Sequence, residues 1–204
     1  MAKEKKEHVD FQRSYFDRNV QFFLNPIPED VIERSKEIAA LILRNPEQRI
    51  LDVGTGCGAF LKHYHNQGVP YENMLGCDLS SQMLEQARRN YPEVKFWQGD
   101  VLDLPFDFGS FDLVVFNACF GNIIDQFSVL KNCAERLKEA GRIAISHPMG
   151  NSFVAELKAQ EPELVCTLMP EREKLLDWGK KLSMKLICYR DEPKLFLAIL
   201  EKEA

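Results

Sequence analysis

The chain has 204 residues, 45% of them hydrophobic and 28% charged, with a formal net charge of -5. That length can bury one sizeable core, and the negative balance excludes a global positive field, so nucleic acid is not expected as a partner. The six cysteines, at positions 57, 77, 119, 133, 166 and 188, show neither a C-x-x-C pair nor a zinc-ligand spacing. Reduced, buried thiols, a cytoplasmic setting and no metal site are therefore expected. The charged run from Met1 to Glu7 has no apolar signal core, and no segment nears the roughly 20 apolar residues of a membrane span. A soluble protein without membrane partners is expected, as a monomer or homodimer.

In chain order, Val9, Phe16, Val20, Phe23 and Leu24 recur near helical spacing from about residue 8 to 24, until Asn25-Pro26-Ile27-Pro28 breaks the pattern. A second helix is predicted from Pro28, with Glu29 and Asp30 in its first turn and Val31, Ile32, Ile38, Leu41 and Ile42 on its apolar side. From residue 49 apolar runs alternate with helical patterns. Strands are predicted at 49–53, 73–78, 94–98, 111–117 and 142–147, with helices at 58–67, 80–90 and 124–139, the last ending at Gly141. Such alternation implies parallel strands joined by helical crossovers. Residues 183–190 and 195–201 are separated only by Asp191-Glu192-Pro193-Lys194, too short for a crossover, so they should form an antiparallel hairpin. Residues 148–170 hold a short helical patch around Phe153 to Leu157 among four punctuating residues, Pro148, Gly150, Pro162 and Pro170, and exceed what a simple link needs.

The run Ile50-Leu51-Asp52-Val53-Gly54-Thr55-Gly56-Cys57-Gly58 joins an apolar strand to a helix through alternating glycines. Residues without a Cβ let a ligand come against bare backbone at a helix start. Asp52 refines the expectation: a carboxylate there repels a pyrophosphate and attracts an ammonium or a sulfonium. Asp78 ends the second strand 20 residues after Gly58, where an acid can accept from ribose hydroxyls. Gly99-Asp100-Val101 follows the third strand and Asn117 ends the fourth, all on one predicted rim.

With these residues in place, the sequence resembles the class I S-adenosylmethionine-dependent methyltransferases over roughly residues 30 to 201. Leu51 to Gly58 is similar to their glycine-rich first motif and Gly76-Cys77-Asp78-Leu79-Ser80 to their ribose-binding acidic motif. Gln98 to Phe106 resembles the segment whose acid meets the adenine, while Phe111 to Asn117 and Leu137 to Arg142 match the fourth strand and the turn before the fifth. The resemblance implies an α/β fold, a three-layer α/β/α sandwich whose mostly parallel seven-stranded sheet ends in an antiparallel hairpin, with N-terminal helices over the cleft. It also implies one methyltransferase domain over 1–204: a helical cap (1–48), a cofactor-binding core (49–147), an acceptor-side insert and helix (148–182) and the hairpin (183–204).

By the same resemblance, Gly54, Thr55, Gly56 and Gly58 pass under the methionine part of S-adenosyl-L-methionine, with Asp52 near its ammonium. Asp78 binds the ribose, Leu79 and Met83 flank the adenine, Asp100 with Val101 receives its amino group, and Asn117 lines the cleft near the sulfonium. The implied reaction is in-line transfer of a methyl group to a small-molecule acceptor, leaving S-adenosyl-L-homocysteine. Asn117-Ala118-Cys119-Phe120 departs from the Asn/Asp-Pro-Pro-aromatic signature of nucleobase amino methylation, which argues against DNA adenine as acceptor. His147 is the candidate general base, because it ends the fifth strand and a histidine titrates near neutrality; the alternative is a histidine held by structure next to Pro148. Phe11, Phe16, Phe120 and Phe153 are candidates to line an acceptor pocket. Two other readings stay open: an NAD(P)-dependent oxidoreductase, since Gly54-x-Gly56-x-x-Ala59 also fits a dinucleotide fingerprint, and a non-catalytic S-adenosylmethionine-binding module.

Overall fold

The computed structural model describes residues 2–203, with side chains from residue 4; Met1 and Ala204, the outer ends of the expected cap and hairpin segments, lie outside the described residues. The most apolar run forms the centre. Strand β1 (Ile50–Val53) is buried along its whole length and pairs in parallel with β2 (Met74–Asp78) on one side and β4 (Phe111–Asn117) on the other. Adding β3 (Lys95–Gln98), β5 (Leu137–His147), β6 (Met184–Glu192) and β7 (Leu195–Lys202) gives one sheet in the order β3-β2-β1-β4-β5-β7-β6. The first five strands run parallel and β7 lies antiparallel between β5 and β6. Strand order reverses between β1 and β4, the place in an open α/β sheet where a crevice forms.

Pleating sends alternate residues to opposite faces. Ile50, Leu113, Val115 and Ala144 pack with Ile38 and Ile42 of α2 (Glu29–Ile42) and with Leu61 and Tyr64 of α3 (Leu61–Asn66). Leu51, Val53, Val114, Phe116, Ile143 and Ile145 pack instead with Leu130 and Cys133 of α5 (Gln126–Glu135) and with Leu175 and Trp178 of α7 (Arg172–Leu182). The expected three-layer sandwich follows. The helix between β2 and β3, α4 (Ser81–Asn90), starts at Ser80, whose hydroxyl accepts from the Met83 amide at 3.1 Å.

Three boundaries differ from expectation. The first helix, α1, runs from Ala2 to Arg18 and a 3-10 turn, Val20–Leu24, replaces its expected last stretch. The helix expected to reach 139 stops at Glu135, because Leu137 already pairs with Phe111 and a register shift takes up the next residues, with Ala140 at φ 55°. The patch around 153–157 is the longer helix α6 (Gly150–Gln160).

Two long-range clasps shape the carboxyl rim. Helix α1 lies across it: the Gln12 amide donates to the carbonyls of Asn122 (2.8 Å) and Leu164 (2.9 Å), and Asp17 accepts from the Ser80 hydroxyl (2.6 Å) and the Gln82 amide (3.1 Å). Below, the buried Arg136 guanidinium donates to the carbonyls of Leu104 and Pro105 and to Asn132, and stacks 4.1 Å from the Phe106 ring centre. It thereby ties down the segment from Asp100 to Phe108. Arg136→Met keeps the volume but strands those carbonyls, so we expect a loss of about 2–4 kcal/mol by urea titration and a Tm lower by roughly 5–10 °C.

Candidate cofactor site

Where β1 ends, the chain must turn sharply while staying tied to β2. The Gly54 and Thr55 amides both donate to the Cys77 carbonyl, at 2.8 and 3.1 Å, and Gly56 donates its amide to Asp78 Oδ2 at 2.8 Å. Gly54 and Gly56 take φ of 68° and 55°, a region that favours glycine. Their surroundings differ. A Cβ on Gly54 would stand 2.7 Å from the Cβ of Cys119, whereas one on Gly56 would meet nothing within 4 Å. Gly56 therefore presents open backbone to the cleft, while Gly54 packs under Cys119, whose thiol donates to the Val53 carbonyl at 3.1 Å. Gly58 belongs to the packing as well, a Cβ there lying 2.8 Å from the Tyr91 ring.

Asp52 is 2% exposed and points with Ile50 toward the α3 face, where the Tyr64 hydroxyl donates to its Oδ1 at 3.0 Å. Burial lifts its pKa to about 6, against the Thr55 and Tyr64 hydroxyls, which lower it; the Asp78 charge raises it further. Thr55 Oγ1 sits close enough to act on Asp52 but outside hydrogen-bond geometry, and is a buried polar atom without a partner. Such an atom is what a bound ligand satisfies. Asp78 accepts from Gly56 and from the Ser80 amide (2.9 Å), and burial raises its pKa although these amides favour the charged form. Asp100 accepts from the Leu102 amide at 3.0 Å, capping the 3-10 turn Val101–Asp103. Val101 and Met83 are buried, the Met83 sulfur 3.3 Å from Cys57 Sγ, and Leu79 is half-buried beside Asp78.

Beyond β4 the chain bends at Ala118, which adopts φ 57°, and returns Cys119 over the glycine turn. Asn117 Oδ1 accepts from the Ser146 hydroxyl at 2.9 Å, so the amide nitrogen of Asn117 turns away from that contact. His147 follows Ser146 but has the opposite pleat and is 7% exposed, with its ring centre 5.5 Å from that of Phe153. Its Nδ1 accepts the Met149 amide at 3.2 Å and burial lowers its pKa to about 4, so the neutral ring carries its proton on Nε2. Of the four candidate phenylalanines, Phe120 is fully buried against Phe116, Phe11 and Phe16 are half-buried on α1, and Phe153 stands beside His147.

Asp52, Gly56, Asp78, Asp100 and Asn117 thus share one rim, and His147 stands apart from them. Sequence patterns did not point to Asp17, Tyr64 or Cys119. Nothing local marks them: Tyr64 comes from α3, Asp17 from α1 and Cys119 from the loop after β4. Among the described residues no group of three or more His, Cys, Asp or Glu side chains could hold a metal, all six cysteines are free, and no helix is long and apolar enough to cross a membrane.

This fold, with its strand order and closing hairpin, is the Rossmann-like fold of S-adenosylmethionine-dependent methyltransferases. It is shared with a chain of the complex between the Haloferax volcanii Trm112 methyltransferase activator and a methyltransferase (TM-score 0.75, 19% identity, covering 93% of this chain and 98% of that one). Magnesium protoporphyrin IX methyltransferase from Synechocystis PCC 6803, a structure with bound S-adenosylhomocysteine, has it too (TM-score 0.70, 12% identity, 96% and 100% covered). Residues 50–141 match the model of the methyltransferase domain family. Demethylmenaquinone methyltransferase of Thermotoga maritima is 34% identical over 110 residues, 54% of this chain and 48% of that protein, so the chain spans about half the length of the curated relatives it matches.

Gly56→Ala should cost only about 1 kcal/mol of stability, from its backbone conformation, yet abolish S-adenosylhomocysteine binding measured by calorimetry, because the new methyl enters the open cradle. Gly54→Ala, which drives into Cys119, should unfold some 2–4 kcal/mol more easily. The histidines give a pH signature. His63 and His147, both lowered by burial to about 4 from 6.5, take up protons on unfolding, so stability falls as pH drops from 6.5 to 4. Asp52, raised to about 6, works in the opposite sense between 6 and 4 and offsets one of them. His147→Gln should therefore lose less Tm than the parent between pH 7 and 4.5.

Proposed function

We propose that the protein is an S-adenosylmethionine-dependent methyltransferase acting on a small-molecule acceptor in a cytoplasmic setting. The observation that carries this reading is the meeting of Asp52, Asp78 and the open Gly56 backbone at the β1 and β2 ends, with Thr55 Oγ1 unpartnered between them. These groups fit the cofactor. Asp52 and Thr55 would hold its ammonium end, the Gly56 backbone would lie against its methionine part, Asp78 would accept from ribose hydroxyls, and Asp100 with Val101, Leu79 and Met83 would bound the adenine. When bound, S-adenosylmethionine supplies an activated methyl group on a sulfonium. The chain's own contribution is alignment and exclusion of water. Well-oriented reactants gain roughly 7–11 kcal/mol in such a setting, so a dedicated base is not required. Helix α1, clasped at Asn122, Leu164 and Ser80, covers the rim and excludes water from it.

His147 enters this reading not as the expected general base but as a neutral hydrogen-bond donor through Nε2, since its Nδ1 lone pair is taken by Met149 and burial holds the ring neutral. A small-molecule acceptor is supported by the Thermotoga relative, which is named for demethylmenaquinone. A nicotinamide dinucleotide fits poorly, because Asp52 meets its pyrophosphate with a like charge in a site of low polarity.

Calorimetry should show S-adenosylhomocysteine binding and no NADH binding, with Asp78→Ala weakening the former at least tenfold; binding of NADH alone would overturn the reading. Methyl-labelled S-adenosylmethionine offered to a panel of small metabolites should then label one acceptor class, and His147→Ala should lower that turnover while leaving S-adenosylhomocysteine affinity unchanged.

A further inference from the structure

The pairing of Tyr64 with Asp52 has no part in the roles assigned above, yet it is among the most heavily built features of the site. Tyr64 is fully buried in the middle of α3, with its ring packed edge-on against Phe60 at 5.1 Å between centres. Its hydroxyl, 3.0 Å from Asp52 Oδ1, has no exposure to water. A phenol held this way can only donate to the carboxylate, and burial together with the Asp52 charge pushes its own pKa up, so it stays a donor across the working pH range. Oδ1 is thereby occupied by Tyr64, and Thr55 is the other side chain that acts on the carboxylate.

On the reading that this cleft takes S-adenosylmethionine, we propose that Tyr64 is a positioning residue that makes Asp52 a selective receptor for the amino-acid end of the cofactor. Tyr64 turns Oδ2 toward the ammonium group and keeps the carboxylate ionised where desolvation would otherwise neutralise it. Affinity for the nucleoside half, which rests on Asp78 and Asp100, does not depend on it. Recognition of the two halves of the ligand is therefore separable, with one dedicated support residue for the first.

Two probes separate the halves: S-adenosylhomocysteine, and 5′-methylthioadenosine, which keeps the nucleoside and lacks the amino-acid end. In calorimetry, Tyr64→Phe should weaken S-adenosylhomocysteine about tenfold or more and leave 5′-methylthioadenosine within twofold of the parent, because a hydrogen bond to a charged group is lost from one subsite only. Equal weakening of both probes, or of neither, would overturn the assignment. If the parent protein binds neither probe, the cofactor reading itself fails, which is a different outcome. A measurement on the unmutated protein guards against a poorly folding variant. Facing Asp52 are Tyr64 from α3, Asp78 from the β2 end and Cys119 from the loop after β4. Burial lifts Asp52 to about 6 and also raises Asp78, so as pH drops from 7.5 to 5 S-adenosylhomocysteine affinity should fall more steeply than 5′-methylthioadenosine affinity. In Asp52→Asn that difference should vanish; parallel pH profiles for the two probes in the parent would refute the proposal.

Discussion

The carboxyl rim depends on one hydrogen bond, from the Gly56 amide to Asp78 at 2.8 Å. It joins the turn after β1 to the end of β2, and Asp78 receives the Ser80 amide as well, which sets the start of α4. A buried carboxylate is tolerated only when its lone pairs are met. Backbone amides meet part of that demand here, and in doing so fix the shape of the glycine turn. Gly54 and Thr55 add two donors to the Cys77 carbonyl, so the turn is held at three points on one neighbouring strand. The cradle is thus rigid before any ligand arrives, which lowers the ordering cost of binding.

Electrostatics follows from the same arrangement. Asp52 is buried and Asp78 half-buried; the Asp78 charge raises the pKa of Asp52, and Asp17 on α1 adds a third acid that raises Asp78. Like charges that raise one another's pKa favour a cationic ligand over an anionic one. This is a physical reason for a sulfonium and ammonium carrier to suit the site better than a phosphate carrier. The overall charge of -5 points the same way but is diffuse, whereas the three carboxylates are local to the rim.

How much of this was legible in the sequence depends on range. Strand ends, crossovers and the hairpin were readable, because apolar alternation and turn residues are local signals. The acids at 52, 78 and 100 were readable for the same reason, since each sits at the end of its own strand. The start of β5 was not: Lys138-Glu139-Ala140 looks helical, and only pairing of Leu137 with Phe111, with Ala140 forced to φ 55°, reveals a strand. Tyr64 lies one helix away from Asp52, Cys119 reaches back 66 residues to Val53, and Asp17 reaches 63 residues to Ser80. No period or spacing encodes such contacts. The type and place of His147 were visible as well, whereas its tautomer is decided by the Met149 amide, a detail of one turn.

The end of β5 shows how pleating divides the work of neighbouring residues. Ser146 pairs with Asn117 across the β4–β5 ladder and, by parity, shares the face of Asp52 and Asp78. Its hydroxyl donates to Asn117 Oδ1, which fixes the amide so that its two N–H donors point away from Ser146. His147, one residue on, faces the α5–α7 side, next to Phe153 of α6. A rim with carboxylates on β1 and β2 and an oriented amide donor on β4 is polarised across its width. The proposed cofactor, whose amino-acid end carries a positive and a negative group a few bonds apart, suits that polarity.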